Sequence, residues 1–464
     1  MVFSSLVFLF AYLPITLAIY YLAPLRWRNA VLLVFNLLFY GWGEPVYIVI
    51  MFASIAIDYT HGMLVTRAKN RGHIRAAKAA VVSSVVFNLA LLLFFKYYDF
   101  FAANLNAIGV DFVKPLGIAL PIGISFYTFQ TMSYTIDVYR GDAKVQKNTL
   151  SFGMFVTLFP QLIAGPIIKY KELADQIDSR DHTVDRFASG ISTFCAGLAK
   201  KVLIANNVGA LWDSVLASDL TTLGAPMAWL GIIAFALQIY FDFSGYSDMA
   251  IGLGRMFGFE FPQNFNYPYV SKSITEFWRR WHISLGSFFR DYVYIPLGGS
   301  RRGLPKQYRN ILVVWALTGF WHGASWNFLC WGLYFAVILM LEKTFLLKLL
   351  DRAPNWVGHV YALLLILVGW VLFAVEDFGQ MGLYLKAMFG FGGSPASFVY
   401  YLASYAPIIA LGIVGSTPLV KKLWLRLGDR PRAYGAIVLA AFALVISTAY
   451  LVNSSYNPFL YFRF

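Results

Sequence analysis

The chain has 464 residues, of which 59% are hydrophobic and 13% charged, and it carries a formal net charge of +14. Soluble domains carry roughly 25% charged residues, so this chain has too little polar side chain to coat a globule, and its missing solvent is lipid. A soluble protein this basic would suggest nucleic acid; here the Lys and Arg gather in short connections between apolar runs, the positive-inside pattern of a membrane protein instead.

Apolar runs of about 18 to 22 residues recur from end to end, the length a helix needs to cross roughly 30 Å of hydrocarbon. The fold class expected is all-α: a polytopic integral membrane protein with about 10–12 transmembrane helices plus re-entrant or interfacial helices, forming a single domain over residues 1–464. Residues 1–25 contain no Lys or Arg, and Arg26 and Arg28 follow. The first span is predicted near 5–23 with its N-terminus outside; it lacks the basic start and the small-residue cleavage site of a signal peptide, so it reads as a retained span. Spans near 29–42 and 45–62 lead to a basic cytoplasmic loop from Arg67 to Lys78, and a fourth is predicted near 79–96. The stretch 115–139 is punctuated by Pro121, Gly123 and Ser125, and 149–168 by Pro160, Gly165 and Pro166. Such interruptions are tolerated at membrane depth only where protein or a water-filled cavity satisfies the freed backbone groups. A helix near 186–207 carries Lys200 and Lys201 on an apolar body, which predicts a packed or interfacial element.

The middle of the chain is the unusual part. A span near 226–241 is predicted to end at Asp242, with Asp248 close behind, followed by a turn-rich loop from Pro262 to Pro268. Ser273 to Arg290 reads as one helix opening on a Ser273–Glu276 capping box. It sets Arg279, Arg280, His282 and Arg290 among Trp278, Trp281 and other aromatics, too charged for lipid and too aromatic for water, so a re-entrant or buried interfacial helix is expected. The apolar stretch 310–341 has basic clusters on both sides, Arg301–Arg309 and Lys343–Arg352. Both of its ends are therefore cytoplasmic, and two shorter helices with His322 near the bend are predicted. Spans near 354–375, 397–417 and 433–451 complete the chain, the last leading outward.

An ionisable group at membrane depth is costly and marks a cavity or pathway. His322 is the sharpest case: Gly319 and Gly323 make room around it, while Ser325 and Asn327 are placed to orient an imidazole or bind a substrate. A structural histidine bonded between helices is the alternative. An imidazole titrates near neutral pH, and a neutral ring accepts a proton from an alcohol. For His282 the alternatives are an interfacial histidine on a basic face or a group beside Arg279 and Arg280, whose guanidinium forks suit the phosphates of an acyl carrier. Asp242 and Asp248 are expected either in the site or as ion-pair partners of Arg255, Arg279 or Arg280. His61, His73, His182 and His359 lie near span ends and are assigned no chemistry, and Cys195 and Cys330 read as small apolar residues. Gly252, Gly254 and Gly258 miss a phosphate-binding spacing by one position and follow a membrane helix, which favours close helix packing. No metal-ligand motif is present.

With these residues in place, the chain resembles the membrane-bound O-acyltransferase family over nearly its whole length. The likeness lies in Phe241-Asp-Phe-Ser-Gly-Tyr-Ser-Asp-Met-Ala, Asn264-Phe-Asn-Tyr-Pro-Tyr, Glu276-Phe-Trp-Arg-Arg-Trp-His-Ile-Ser-Leu, Phe289-Arg-Asp-Tyr-Val-Tyr-Ile-Pro-Leu-Gly-Gly, Gly319-Phe-Trp-His-Gly and the final Asn457-Pro-Phe-Leu-Tyr-Phe-Arg-Phe. It is similar in particular to the bacterial branch that holds the membrane subunit of alginate O-acetylation and the lipoteichoic acid D-alanylation protein. The resemblance implies that His322 and His282 are the two family histidines; Trp321, Ser325, Asn327, Asp242, Asp248, Trp278, Arg279, Arg280, Trp281 and Arg290 are the residues expected to bind substrate or donor. It implies an acyl thioester such as acetyl-CoA as donor, no permanently bound cofactor and no metal. It further implies a multi-pass protein of the bacterial inner membrane, and the placing of the basic clusters on the cytoplasmic side puts both termini outside. The implied partners are the bilayer, an extracytoplasmic accessory acetyltransferase and polysaccharide-export machinery, and no nucleic acid. D-alanyl-type transfer to teichoic acid and an acyl or polysaccharide transporter without its own chemistry remain the alternatives.

Overall fold

A computed structural model describes residues 1–390, 395–453, 457 and 460. Among the described residues the regular elements are all helical. Seven helices are long and apolar enough to cross a membrane: Ile48–Asn70, Ile74–Ala107, Val184–Leu216, Ala225–Met256, Asn355–Ala374, Ser397–Gly415 and Asp429–Asn453. Phe8–Leu22 is a shorter apolar helix, and Arg28–Gly41, Leu304–His322 and Trp326–Leu341 are further predominantly apolar ones. The chain packs as two compact units, Met1–Phe194 with Ser247–Pro262, and Cys195–Tyr246 with Gln263–Phe464.

In the first unit, Ile48–Asn70, Ile74–Ala107 and Ile124–Arg140 pack around a buried polar clamp. Asp58 accepts from Ser84 Oγ at 2.5 Å and from Asn88 Nδ2 at 2.8 Å, and Thr131 Oγ1 donates to Asn88 Oδ1 at 3.2 Å. Away from water each of these groups needs such a partner. The interruption predicted at Pro160 is real, since Thr149–Thr157 stops before a separate turn Phe159–Leu162. Asn36 satisfies it: the Phe159 N–H donates to its Oδ1 at 3.2 Å while its Nδ2 donates to Thr157 Oγ1 at 3.2 Å. Protein, rather than water, supplies the missing partners there. Gly252 serves packing, because a Cβ on it would come within 2.6 Å of the Gly190 carbonyl oxygen.

Two boundaries in the second half of the chain differ from the prediction. Ala225–Met256 runs unbroken through Asp242 and Asp248 for 32 residues. Small residues let it continue against a neighbouring helix, for a Cβ on Gly245 would meet the Gly197 carbonyl oxygen at 2.7 Å. The predicted helix from Ser273 to Arg290 is two helices, Ile274–Arg280 and Ile283–Phe289, separated at Trp281 and His282. Its start is as expected: Ser273 Oγ accepts from the Glu276 N–H at 3.0 Å, although the Glu276 carboxylate returns to the Lys272 N–H at 2.9 Å and not to that of Ser273.

The core of the second unit is aromatic. Leu304–His322 and Trp326–Leu341 form an antiparallel hairpin, and glycines let their backbones meet: Gly319 lies against the Phe328 carbonyl and Gly332 against that of Trp315. Trp278 packs on Trp315 at 4.6 Å between ring centroids and on Phe335 at 5.0 Å, and Trp281 packs on Trp370 at 4.9 Å. The two Trp278 pairs are edge-on and the Trp281 pair is tilted, and such ring contacts add to the burial of apolar area. Glu342, 1% exposed, ties the hairpin to the short helix: its carboxylate accepts from the N–H groups of Ile274 at 2.7 Å and Thr275 at 2.8 Å. That satisfies two of the orphan donors at the start of Ile274–Arg280.

Candidate active site

His322 is the last residue of Leu304–His322, and the chain leaves it in extended conformation at Gly323. The ring is 7% exposed. It stands edge-on to Trp331 at 5.0 Å and to Phe373 at 5.2 Å, with Trp321 at 5.0 Å. These flat neighbours fix the plane of the imidazole without masking it. The ring lies on the wall of a cavity of about 550 Å³, together with His282, Trp278, Trp281, Arg279 and Arg290. It also lines a second space of about 20 Å³ with Asp242, Trp331, Trp370 and Phe373. His322 and Trp281 are the residues common to both linings. A space of that size holds about one water-sized group.

His282 is held by a loop rather than by a helix. The Asn266 N–H donates to the Arg280 carbonyl at 2.9 Å and the Ile283 N–H to the Asn264 carbonyl at 2.9 Å, so the loop after Pro262 pairs with the break between the two helices. His282 has φ 45°, a left-handed conformation uncommon outside glycine, and strained backbone of this kind clusters at functional sites. Asn264 Oδ1 accepts from the Ser284 N–H at 3.2 Å and from Ser284 Oγ at 2.9 Å, which identifies it as the oxygen, and it lies 3.1 Å from His282 Nδ1. An acceptor there places the proton on Nδ1 and leaves Nε2 as the basic nitrogen. Trp321 packs against both histidines, at 5.8 Å from His282 and 5.0 Å from His322.

The other residues expected in the site divide into two groups. Trp278, Arg279, Trp281 and Arg290 lie on the wall of the large cavity with both histidines. Arg290 is also bonded to Asp291 at 2.8 Å. Arg280, Trp321, Ser325 and Asn327 are not on that wall. Arg280 pairs with Glu276 at 2.8 Å and donates to the Asn266 carbonyl, so it fastens the loop. Ser325 is the N-cap residue of Trp326–Leu341. Asn327 Nδ2 donates to the backbone carbonyls of Leu372 and Phe373, both at 3.2 Å, and the ring of Phe373 packs on His322. Asp242 pairs with Lys201 at 2.6 Å, both side chains 3% exposed, rather than with any of the three arginines expected. Its second oxygen accepts from the Leu460 N–H at 3.0 Å. Asp248 belongs to the first unit.

Sequence reasoning passed over Asn264, Lys201, Lys343 and Gln307. The last two lie on the large cavity's wall. Asn264 opens a quoted motif, which was the available signal for it; a lysine in an apolar body was the signal for Lys201.

Residues 143–349 match the membrane-bound O-acyltransferase family. Over 396 residues the chain is 45% identical to the probable alginate O-acetylase AlgI of Azotobacter vinelandii, covering 84% of this chain and 79% of that protein. It is 41% identical to the probable alginate O-acetylase AlgI of Pseudomonas putida over 497 residues, spanning 100% of both chains. It is 32% identical to the peptidoglycan O-acetyltransferase of Helicobacter pylori over 428 residues, 85% of this chain and 80% of the relative. The chain therefore belongs to the membrane-bound O-acyltransferase family and is a multi-pass membrane acyltransferase.

Proposed function

We propose that the chain passes an acetyl or other short acyl group from a cytoplasmic thioester, through His322, to an extracytoplasmic hydroxyl destined for polysaccharide O-acetylation. The observation that carries this reading is the position of His322 on the walls of both spaces, a large one whose wall also carries cations and a water-sized one. The basic run from Arg301 to Arg309 spans the start of the hairpin and Lys343 to Arg352 follows it, and by the positive-inside rule the large cavity opens to the cytoplasm. The acyl donor enters from there and the hydroxyl from the opposite side.

In the chemical step His322 acts as general base. Its neutral ring takes the proton of the acceptor hydroxyl as that oxygen attacks the thioester carbonyl. The tetrahedral intermediate collapses by breaking the carbon–sulfur bond, and the sulfur takes the proton from the imidazolium and leaves as a thiol, which returns His322 to its neutral form. His282, with its proton on Nδ1, presents a second basic nitrogen to the same cavity and positions the donor. The alginate O-acetylase and peptidoglycan O-acetyltransferase relatives support a cell-envelope polysaccharide as the final acceptor. An accessory extracytoplasmic acetyltransferase completes the transfer in this reading, in the inner membrane with both termini outside.

The test uses the full chain in lipid nanodiscs with labelled acetyl-CoA and a soluble hydroxyl acceptor. His322→Ala abolishes transfer while the protein still inserts and elutes as the native species. Retained activity refutes the assignment.

A further inference from the structure

In the first unit, Arg28, Arg180 and Arg186 converge on His182. The Arg28 guanidinium lies over the rings of Tyr20 and Tyr21, 5.1 and 5.2 Å from their centroids, and Tyr20 Oη is 2.8 Å from His182 Nε2. Arg180 donates to the same hydroxyl at 3.1 Å. Arg186 donates to the carbonyls of Asp181 and Gly258, at 3.1 and 3.2 Å, and a Cβ on Gly258 would stand 3.0 Å from His182 Nε2. Among the described residues no carboxylate lies within ion-pair distance of the three arginines, whereas Arg255 of the same unit pairs with Glu260 at 2.7 Å and Lys171 with Asp142 at 3.2 Å. The positive field acts on His182, which lies between helices: burial first, then Arg28 and Arg180, hold its ring below the usual histidine range. Cations of this kind keep an imidazole neutral.

The fold fastens these charges in place. Every N–H of Arg180 has an acceptor inside the protein, from the Gln176 and Ile177 carbonyls to Tyr20 Oη and Asn29 Oδ1. Arg180 therefore supplies charge without a spare donor. Arg28 uses only Nε, on the Ala23 carbonyl at 3.4 Å, and Arg186 uses only Nη1. Both terminal nitrogens of Arg28, with Nε and Nη2 of Arg186, remain for a ligand, and guanidinium forks suit phosphate. A charge that only sets topology needs to be on the correct side of the bilayer and requires no such anchoring.

The apolar surroundings identify the anion. The turn between Leu13–Leu22 and Arg28–Gly41 leaves Leu22 85%, Leu25 74% and Trp27 55% exposed. Leucines exposed to this degree belong in hydrocarbon and a tryptophan at its boundary, which puts Arg28 at headgroup level. A ligand matching both parts carries an anionic phosphate and acyl chains, and basic pockets beside membrane helices hold such headgroups.

We infer that Arg28, Arg180 and Arg186 form a headgroup site for an anionic phospholipid, with its phosphate on the Arg28 and Arg186 guanidinium groups and its chains along Leu22 and Leu25. All of these residues belong to the first unit, and His282 and His322 to the second, so the site stands or falls apart from acyl transfer. The test uses the full chain in nanodiscs of phosphatidylcholine, with and without phosphatidylglycerol. Native mass spectrometry counts the lipids that stay bound on release from the disc, and unfolding midpoints are measured in both discs. The unmodified chain keeps phosphatidylglycerol in preference to phosphatidylcholine, and phosphatidylglycerol raises its midpoint. Arg28→Gln and Arg186→Gln each lower that preference about fivefold, the share of one cation near an anionic surface. Arg28→Lys, which keeps the charge at the same depth, retains part of it. Lys171→Gln removes a cation already paired with Asp142 and leaves the preference unchanged. Should Arg28→Gln fail to insert, Arg186→Gln carries the comparison. Equal retention of the two lipids by the unmodified chain overturns the site, as does normal retention in the Gln variants or an equal loss in Lys171→Gln. Inorganic phosphate added to phosphatidylcholine discs is the soluble arm: if it raises the midpoint as far as phosphatidylglycerol does, the ligand is not a lipid and the inference fails.

Discussion

Gly319 lies one turn before His322, and its substitution tests whether helix contact sets the position of the imidazole. A methyl group there overlaps the carbonyl oxygen of Phe328 and comes within 3.1 Å of the carbonyl carbon, both backbone atoms that have no rotamer to adopt. Against the roughly 3.5 Å of ordinary carbon contacts, relief requires the hairpin to open on the order of 1 Å. Overpacking of this kind costs about 1–3 kcal/mol, and the better helix propensity of alanine offsets about 1 kcal/mol of it, for a net loss near 1 kcal/mol. The catalytic effect is larger, because a 1 Å misplacement of a reacting group lowers the rate about a hundredfold. Gly382 in Phe378–Phe389 provides the control, since a Cβ there meets nothing within 4 Å. Gly319→Ala is thus expected to lower the unfolding midpoint and reduce acetyl transfer about a hundredfold, while Gly382→Ala raises the midpoint slightly and leaves transfer intact. Thermal unfolding monitored by native elution, alongside transfer from labelled acetyl-CoA, measures both. Equal behaviour of the two variants would show that the glycine contact does not position His322.

The remaining predictions concern buried polar groups. At 2.6 Å the Lys201–Asp242 attraction is about 6 kcal/mol at an effective dielectric of 20. Removing one partner alone, as in Lys201→Met or Asp242→Leu, strands a buried charge and costs about 3–5 kcal/mol; the double variant recovers much of the loss, and additive losses in the unfolding cycle would exclude a coupled pair. Asn264→Leu deprives the Ser284 N–H and His282 Nδ1 of their acceptor. A stability loss of about 1–3 kcal/mol is expected, with activity falling further than in Asn264→Asp, which keeps the acceptor; similar activity in the two would show that this bond does not orient His282. Asn327→Leu removes the clip on Leu372 and Phe373; it lowers turnover by freeing the ring that packs on His322, and unchanged turnover would detach Phe373 from the placement of that histidine.

The membrane class, most span positions and the bend at His322 were legible in the residue order alone. Hydrophobic runs are a local signal, and basic clusters flanking one apolar stretch require it to return to the side it left. The pairing of Asp242 was not legible, since a buried carboxylate takes whichever cation the fold delivers, and the three arginines near it in the chain gave no hint of Lys201. Nor was the break at His282, whose left-handed backbone is held by bonds to Asn264 and Asn266 across the loop. Lys343 read as one more positive-inside charge until the folded chain set it on a cavity wall that it shares with Arg279. Residue order determined that this chain lives in lipid and that His322 stands where one helix ends before the next begins. Tertiary structure alone decided which charges neutralise one another and which remain to face a ligand, because electrostatic partners in a low-dielectric interior are chosen by distance in space and not by separation along the chain.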